Sequence, residues 1–309
     1  MSKPKLLIAD SNLARPWFLP VWNQFFDCEP YNPTQQYSSQ QVVIIDDRYE
    51  TAQYQQIKQQ GHRIILPYLM DSNVHDTCET VDQEFVLRAR DWVWIQESLH
   101  WQSRLDHVTR PASQPDHFFL MLINLRRDHR DQLCQAVNPY LQHSLYSYVE
   151  RGIFLPGDDS VVNFPRINDR LYVPDWYAQT CFSLVSESFV TPQLFISEKI
   201  FKPLAYQHAA VVYGTPGTLA YLRDLGFETF AHRVDESYDT ELDANSRLQK
   251  IVAVLEDLYQ EFTRTGTVFQ DTRTQEILAH NHARFFDANE IQSRFQTQVA
   301  EPILEFLQS

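Results

Sequence analysis

The sequence predicts an α/β protein of two domains, on three observations. Short apolar runs of strand length alternate with polar stretches of helix length over residues 5–98. The segment TRPASQPD (109–116), with two prolines among small polar residues, breaks that alternation. Beyond it HFFLMLINL (117–125) opens a second series of strand, basic loop and helix, which ends in segments of purely helical spacing. A chain of 309 residues exceeds the usual single-domain size, and the break sets domains at 1–112 and 113–309, about 110 and 200 residues.

In the first domain KLLIAD (5–10), QVVIID (41–46), HRIILPYL (62–69) and WVWIQES (92–98) are mostly apolar throughout. They read as buried parallel strands, in which both faces are covered. TAQYQQIKQQG (51–61) ends in a glycine suited to a helix C-cap, so a βαβ unit spans roughly 41–69. In the second domain HFFLMLINL passes into RRDHRDQLCQAV, where Leu133 and Val137 fall four apart on a helix. HSLYSYVE (143–150) is the next strand, and residues 152–178 form a long insertion with turns at Pro156-Gly157 and Pro165. CFSLVSES (181–188) and AVVYG (210–214) are further buried strands, and TLAYLRDL (218–225) is a helix closed by Gly226. Segments 243–263, 272–285 and 288–308 are helical, with Ile251, Leu255 and Leu258 on one face of the first.

Composition excludes several classes. Hydrophobic residues make up 43% and aromatics 13%, and glycine totals seven, which fits a packed globular chain and not a low-complexity one. The formal charge of −14 repels a polyphosphate backbone over most of the surface, and no Lys/Arg run marks a dedicated nucleic-acid face. Cys28, Cys78, Cys134 and Cys181 are scattered, with no CxxC pair and no histidine at metal-ligand spacing, and read as reduced packing residues. MSKPKLLIAD enters a strand directly without a signal-peptide core, and no apolar run approaches the roughly 18 residues of a membrane span, so the expected location is cytoplasmic.

Residues 195–217, FISEKIFKPLAYQHAAVVYGTPG, carry the most chemistry. Ser197 suits a helix N-cap, which puts Glu198 and Lys199 in the first turn, where free N–H groups and the helix dipole favour an anion. Pro203 interrupts the same helix, a local violation of the kind that marks functional sites. After the next strand Thr215 suits an N-cap with Pro216 at the first helical position. Together FSLVSESFV, SEKIFKPLA and AAVVYGTPG, followed by TLAYLRDLGFETF and DESYD, resemble the donor-binding signature of the α1,3-fucosyltransferase family over about 60 residues of the C-terminal half. The resemblance implies the GT-B fold, two Rossmann-like domains facing a cleft, with the donor in the second domain and the last helix returning to the first.

It also implies roles. Lys199 would contact the donor diphosphate and Glu198 the ribose or sugar; the competing assignment is an exposed ion pair of Glu198 with Lys202. Asn124, Arg126, Arg127 and Arg130 follow the strand HFFLMLINL at a second place where a diphosphate docks. The family has an Asn and an essential Arg there; Arg126, nearest the strand, is the first choice and Arg130 the second. Glu187 ends its strand as a pocket carboxylate or a simple cap, and Tyr213, Gly214 and Gly217 form the turn after the last strand. Asp235, Glu236, Ser237, Tyr238 and Asp239 read as a loop held by Asx turns. The general base is expected from the first domain, with Glu97 the first choice and Asp10, Asp46 and His100 as rivals. Trp17, Trp94 and Trp101 offer a sugar-stacking surface or core packing.

The expected activity is therefore a metal-independent, inverting glycosyl transfer from a nucleotide sugar, GDP-fucose by resemblance, to a glycan, a lipid-linked sugar or another hydroxyl acceptor. No cofactor and no essential metal are expected. Two rivals stand beside it: a viral-type DNA-base glycosyltransferase, which needs a basic groove, and a non-catalytic GT-B sugar-binding protein, since fold alone does not secure activity.

Overall fold

Parallel strands dominate both halves of the chain. The structure, a computed structural model, describes residues 3–9, 18–37, 41–45, 52–67, 80–81, 84–87, 89–103, 115–156, 173–192 and 194–308. The chain divides into two compact units, Met1–Ser103 with Phe286–Ser309, and Arg104–Phe285. The expected boundary at 112/113, the turns at Gly157 and Pro165, and Asp10, Trp17, Asp46 and Cys78 lie outside the described residues.

The first unit is built on β1 (Lys5–Ile8), α1 (Leu19–Phe25), β2 (Asp27–Pro30), β3 (Val42–Ile44), α2 (Ala52–Gln59), β4 (Arg63–Pro67), β5 (Thr80–Val81), β6 (Glu84–Leu87) and α3 (Trp92–Gln102). Its sheet runs β2-β1-β3-β4-β6-β5, parallel except for β5, the doubly wound pattern in which the order reverses beside β1. The βαβ unit is formed as expected, and Gly61 takes the left-handed conformation that ends α2 (φ +72°). Leu7, Val43 and Ile64 lie in register on one face, and Tyr54 and Ile57, three apart on α2, close over them.

WVWIQES is a helix and not the expected strand. Trp92, Trp94, Ile95, Gln96, Glu97, Ser98, His100 and Trp101 are all buried, so α3 carries no polar stripe and its hydrophobicity has no helical period to read. The chain's end covers it. Helix α11 (Ala288–Phe295) sets Phe295 against Trp22 at 5.0 Å, and Trp92 packs against Phe18 at 5.6 Å. A π-helical turn at Gln296–Ala300 leads into α12 (Glu301–Gln308), just before Pro302, which has no N–H for the Gln298 carbonyl. Phe306 of α12 stacks on Phe85 at 4.7 Å with the Arg63 guanidinium over its ring.

The second unit holds β7 (His117–Ile123), α4 (Asp128–Ala136), α5 (Asn138–Leu141), β8 (Leu145–Tyr148), α6 (Pro174–Ala178), β9 (Thr180–Ser186), α7 (Glu198–Ala205), β10 (Ala209–Tyr213), α8 (Thr218–Asp224), α9 (Ala244–Thr265) and α10 (Thr272–Phe285). The strands run β10-β9-β7-β8, all parallel. All seven residues of β9 are buried, as a central strand covered on both faces requires. Tyr259 and Phe262 of α9 pack on Phe118 of β7, and Phe201 of α7 meets Phe285 of α10.

The order of this sheet fixes where a ligand can bind. From β7 the chain crosses by α4 to β8, and from β9 it crosses by α7 to β10, in the opposite direction along the sheet. With right-handed crossovers the two helices fall on opposite faces, and their N-termini flank the carboxyl ends of β7 and β9. That is the switch point where doubly wound sheets hold ligands.

Candidate functional site

Ser197 caps α7 as its sequence position predicts, its hydroxyl accepting from the Lys199 N–H at 3.4 Å. Glu198 and Lys199 occupy the first turn, and Lys199 Nζ donates to Glu198 Oε1 at 2.6 Å and to Ser197 Oγ at 3.3 Å. Pro203 has no N–H to return to the Lys199 carbonyl, so the helix opens one turn after its start. Burial lowers the Lys199 ammonium, but Glu198 and Glu187 more than offset this and hold it above its ordinary value. Burial likewise pushes Glu198 up, and Lys199 and Lys202 pull it below the usual carboxylate range.

Glu187 follows β9 and is 0% exposed. Its carboxylate accepts from Ser197 Oγ at 2.5 Å, Ser197 N at 3.2 Å and Ser188 N at 3.2 Å, and its own N–H donates to the Tyr213 carbonyl at 3.0 Å. It therefore clamps the start of α7 to the ends of β9 and β10 and presents no oxygen to solvent. Gly214 lies close against this clamp. A Cβ there would lie 3.2 Å from Glu187 Cγ and 3.2 Å from Thr218 Oγ1.

From the other side α4 brings Arg130. It is 2% exposed and falls on the same buried stripe as Leu133 and Val137, three and seven residues on. Its guanidinium donates to the Leu125 carbonyl at 2.9 Å and the Ser186 carbonyl at 3.3 Å, which leaves Nε buried without a partner. Burial and the nearby Arg127 pull its pKa below the ordinary value, while Glu187 and Glu198 oppose them, so the groups of α4 and α7 share one electrostatic site. Asn124 Oδ1, Arg127 Nε, Ser186 Oγ and Tyr213 Oη are further buried atoms without a partner at these strand ends. Native interiors leave few such groups, and several at one switch point mark a place for a polar ligand.

Arg126, the arginine expected first, is placed differently. It is exposed and its Nε donates to Asp131 Oδ2 at 2.8 Å. Asp131 also accepts from Tyr148 Oη at 2.7 Å and pairs with Arg151, and the Tyr148 hydroxyl together with both arginines holds its carboxyl well below the usual range. Glu97 lies in the first unit inside α3, not at a strand end, 1% exposed, and accepts from Trp101 Nε1 at 3.1 Å. Trp94 and Trp101 are 0% exposed and belong to the core, and His100 is buried beside them.

Two parts of the site escaped sequence reasoning. His129, in the first turn of α4, points Nε2 at the Glu187 carbonyl 3.0 Å away and meets the Tyr213 ring at 6.1 Å between centroids. Burial, helped by Arg130 and Arg127 and opposed by the Glu187 carbonyl, lowers its pKa and keeps the ring neutral. Beside it lies a cavity of about 450 Å³ lined by Arg127, Asp128, His129, Ser188, Phe189, Val190 and Thr191. The Arg127 guanidinium covers the Phe189 ring at 4.4 Å.

The turn after β10 is satisfied from within. Gly217, not Thr215, precedes α8, with φ +83°. The helix start is filled by Asp239, whose carboxylate accepts from Leu219 N at 2.8 Å and Ala220 N at 3.0 Å. This gives the DESYD segment a structural role. Asp235 makes the expected Asx turn with Ser237 N, Glu236 accepts from Phe230 N, and Asp239 caps α8. Arg247, 1% exposed, donates to the Gly214, Glu241 and Leu242 carbonyls and fixes the same turn from α9. Asp239→Ala is expected to destabilise the protein by about 1–2 kcal/mol, the loss typical of a removed helix cap, in a urea titration. A change within 0.5 kcal/mol, by order of magnitude, would mean that water caps α8 equally well.

Cys28 and Cys134 have their thiols raised by burial, to about 12 and about 11, and stay protonated at neutral pH; Cys181 is buried. Among the described residues no helix is long and apolar enough to cross a membrane, and no group of three or more His, Cys, Asp or Glu side chains is placed to hold a metal ion.

No protein-family model and no curated protein matches the chain. Among solved structures it is similar to an α1,3-fucosyltransferase crystallised with GDP, at 12% identity over 93% of this chain and 92% of that one, TM-score 0.44. It is similar also to an α1,3-fucosyltransferase with GDP-fucose, at 11% identity over 93% and 92%, TM-score 0.43, and to another α1,3-fucosyltransferase structure at 11% identity over 96% and 90%, TM-score 0.48.

Proposed function

We propose that the protein is a glycosyltransferase that takes its donor as a nucleotide sugar, with the donor diphosphate at the switch point of the second sheet between Arg130 and Lys199. The observation that carries this reading is the buried Arg130, its Nε without a partner, in one electrostatic site with Lys199 on a chain of net charge −14. Two cations held at converging helix starts neutralise a leaving diphosphate as it departs, the charge that transfer must stabilise. The sequence resemblance supports fucose from GDP-fucose as the transferred group and a metal-independent, inverting displacement onto a glycan or other hydroxyl acceptor. In that scheme the cations do the work of a divalent ion, and the general base comes from residues other than those of this site.

A thermal-shift series tests it, with GDP, UDP, ADP, dTDP and their common sugars, each with magnesium and with EDTA. A ligand at about 100 times its Kd adds about 2.7 kcal/mol, so one nucleotide class is expected to raise Tm by a few degrees, equally in EDTA. A flat response to every nucleotide at saturating concentration would overturn the reading and leave a sugar-binding scaffold as the alternative.

A further inference from the structure

We propose that the cavity at the start of α4 is the subsite for the glycosyl group of the donor, and that Asp128 and His129 read its hydroxyls. The inference rests on the nucleotide-sugar reading above and deepens it. Asp128, the first residue of α4, is exposed on the cavity wall and accepts no hydrogen bond and forms no ion pair among the described residues. The Glu187 carbonyl that faces His129 Nε2 can only accept, so Nε2 carries the ring proton and Nδ1 is a lone-pair acceptor without a partner. Two residues with unused acceptors therefore line one cavity, together with Ser188.

That wall suits a neutral group rich in hydroxyl donors. A carboxylate repels a further phosphate, so Asp128 makes this side of the site unsuited to the diphosphate that Arg130 and Lys199 would hold. A nucleobase seeks an open flat ring, whereas the Phe189 face is covered by Arg127 at 4.4 Å and the ring makes a T-shaped contact with Phe195 at 4.9 Å between centroids. Val190 and Thr191 complete the lining, one apolar and one carrying a hydroxyl. The glycosyl group is also bonded directly to a phosphate, and His129, which lines the cavity, adjoins Arg130 in the chain, so the two subsites would be neighbours.

Isothermal titration of wild type, Asp128→Ala and His129→Gln against GDP and GDP-fucose, UDP and UDP-glucose, ADP and ADP-glucose tests the assignment. Glutamine keeps a donor near the Nε2 position for the Glu187 carbonyl and removes the Nδ1 acceptor. Each variant is expected to bind the nucleotide sugar at least about tenfold more weakly while its affinity for the matching diphosphate changes less than about twofold, a loss in line with one or two hydrogen bonds to the sugar. Equal losses for both probes would assign the cavity to the nucleotide, and unchanged binding of both would remove it from the site; either overturns the proposal while the glycosyltransferase reading survives. Wild type that binds neither probe of any pair would bring down both readings.

Discussion

Arg130→Ala is expected to lower nucleoside-diphosphate affinity by about 100-fold, and Lys199→Ala by about tenfold. A hydrogen bond to a charged group contributes about 1.5–3 kcal/mol, and each 1.4 kcal/mol is about a factor of ten in affinity. Arg130 has the larger effect because its planar fork is already fixed by two carbonyls and its free Nε needs no reorganisation to meet a phosphate oxygen. Lys199 must share its ammonium with Glu198, to which it donates in the unliganded protein. Arg130→Ala also strips the Leu125 and Ser186 carbonyls of a donor and is expected to destabilise the fold by about 1–3 kcal/mol, so titrations belong well below the variant's Tm. Arg130→Lys separates the two effects: it keeps a charge at the site, cannot satisfy both carbonyls, and is expected to recover only part of the affinity. Both side chains would meet one diphosphate, so the double variant should lose less than the sum of the single losses. Wild-type affinity in either alanine variant would remove that residue from the diphosphate site.

How far the sequence could lead is clear from these same residues. The start of α7 was legible because capping is local: Ser197, Glu198 and Lys199 are adjacent in the chain and need no distant partner. The choice between Arg126 and Arg130 was not settled by closeness to the strand. Helical phase turns Arg130 inward on the stripe of Leu133 and Val137, whereas Arg126 precedes the helix and stays at the surface. Glu187 was legible as a strand-end carboxylate, yet its work as a clamp depends on Ser197, whose approach only the fold supplies. Thr215 and Pro216 read as an N-cap and first helical position, but Asp239 reaches the start of α8 from beyond the next turn, a contact that no local pattern encodes. The strand misreading of 92–98 has the same origin. A helix buried on every side loses its period, and the residues that bury this one come from the other end of the chain.

Arg294→Ala is expected to destabilise the first unit by about 3–5 kcal/mol, the loss found when one partner of a buried ion pair is removed. Asp91, immediately before α3, is 1% exposed, and its carboxylate accepts from the Arg294 guanidinium and from Gln298 Nε2 at 2.6 Å, while its N–H donates to Gln298 Oε1 at 3.1 Å. Arg294 also pairs with Glu290 at 2.7 Å and lies over the Trp94 ring at 4.6 Å, so one guanidinium joins the chain's end to the buried helix. Without it Asp91 keeps one amide donor for a charge that water cannot reach. A globular protein's whole stability is about 5–15 kcal/mol, so the variant should unfold at much lower urea, followed through the fluorescence of Trp92, Trp94 and Trp101. Adding Asp91→Asn should restore part of the loss, because a neutral amide needs no counter-charge and can still accept from Gln298. If Arg294→Ala instead changes stability by less than about 1 kcal/mol, the pair behaves as a screened surface bridge, and apolar packing of Phe295 on Trp22 and of Phe306 on Phe85 is what retains α11 and α12.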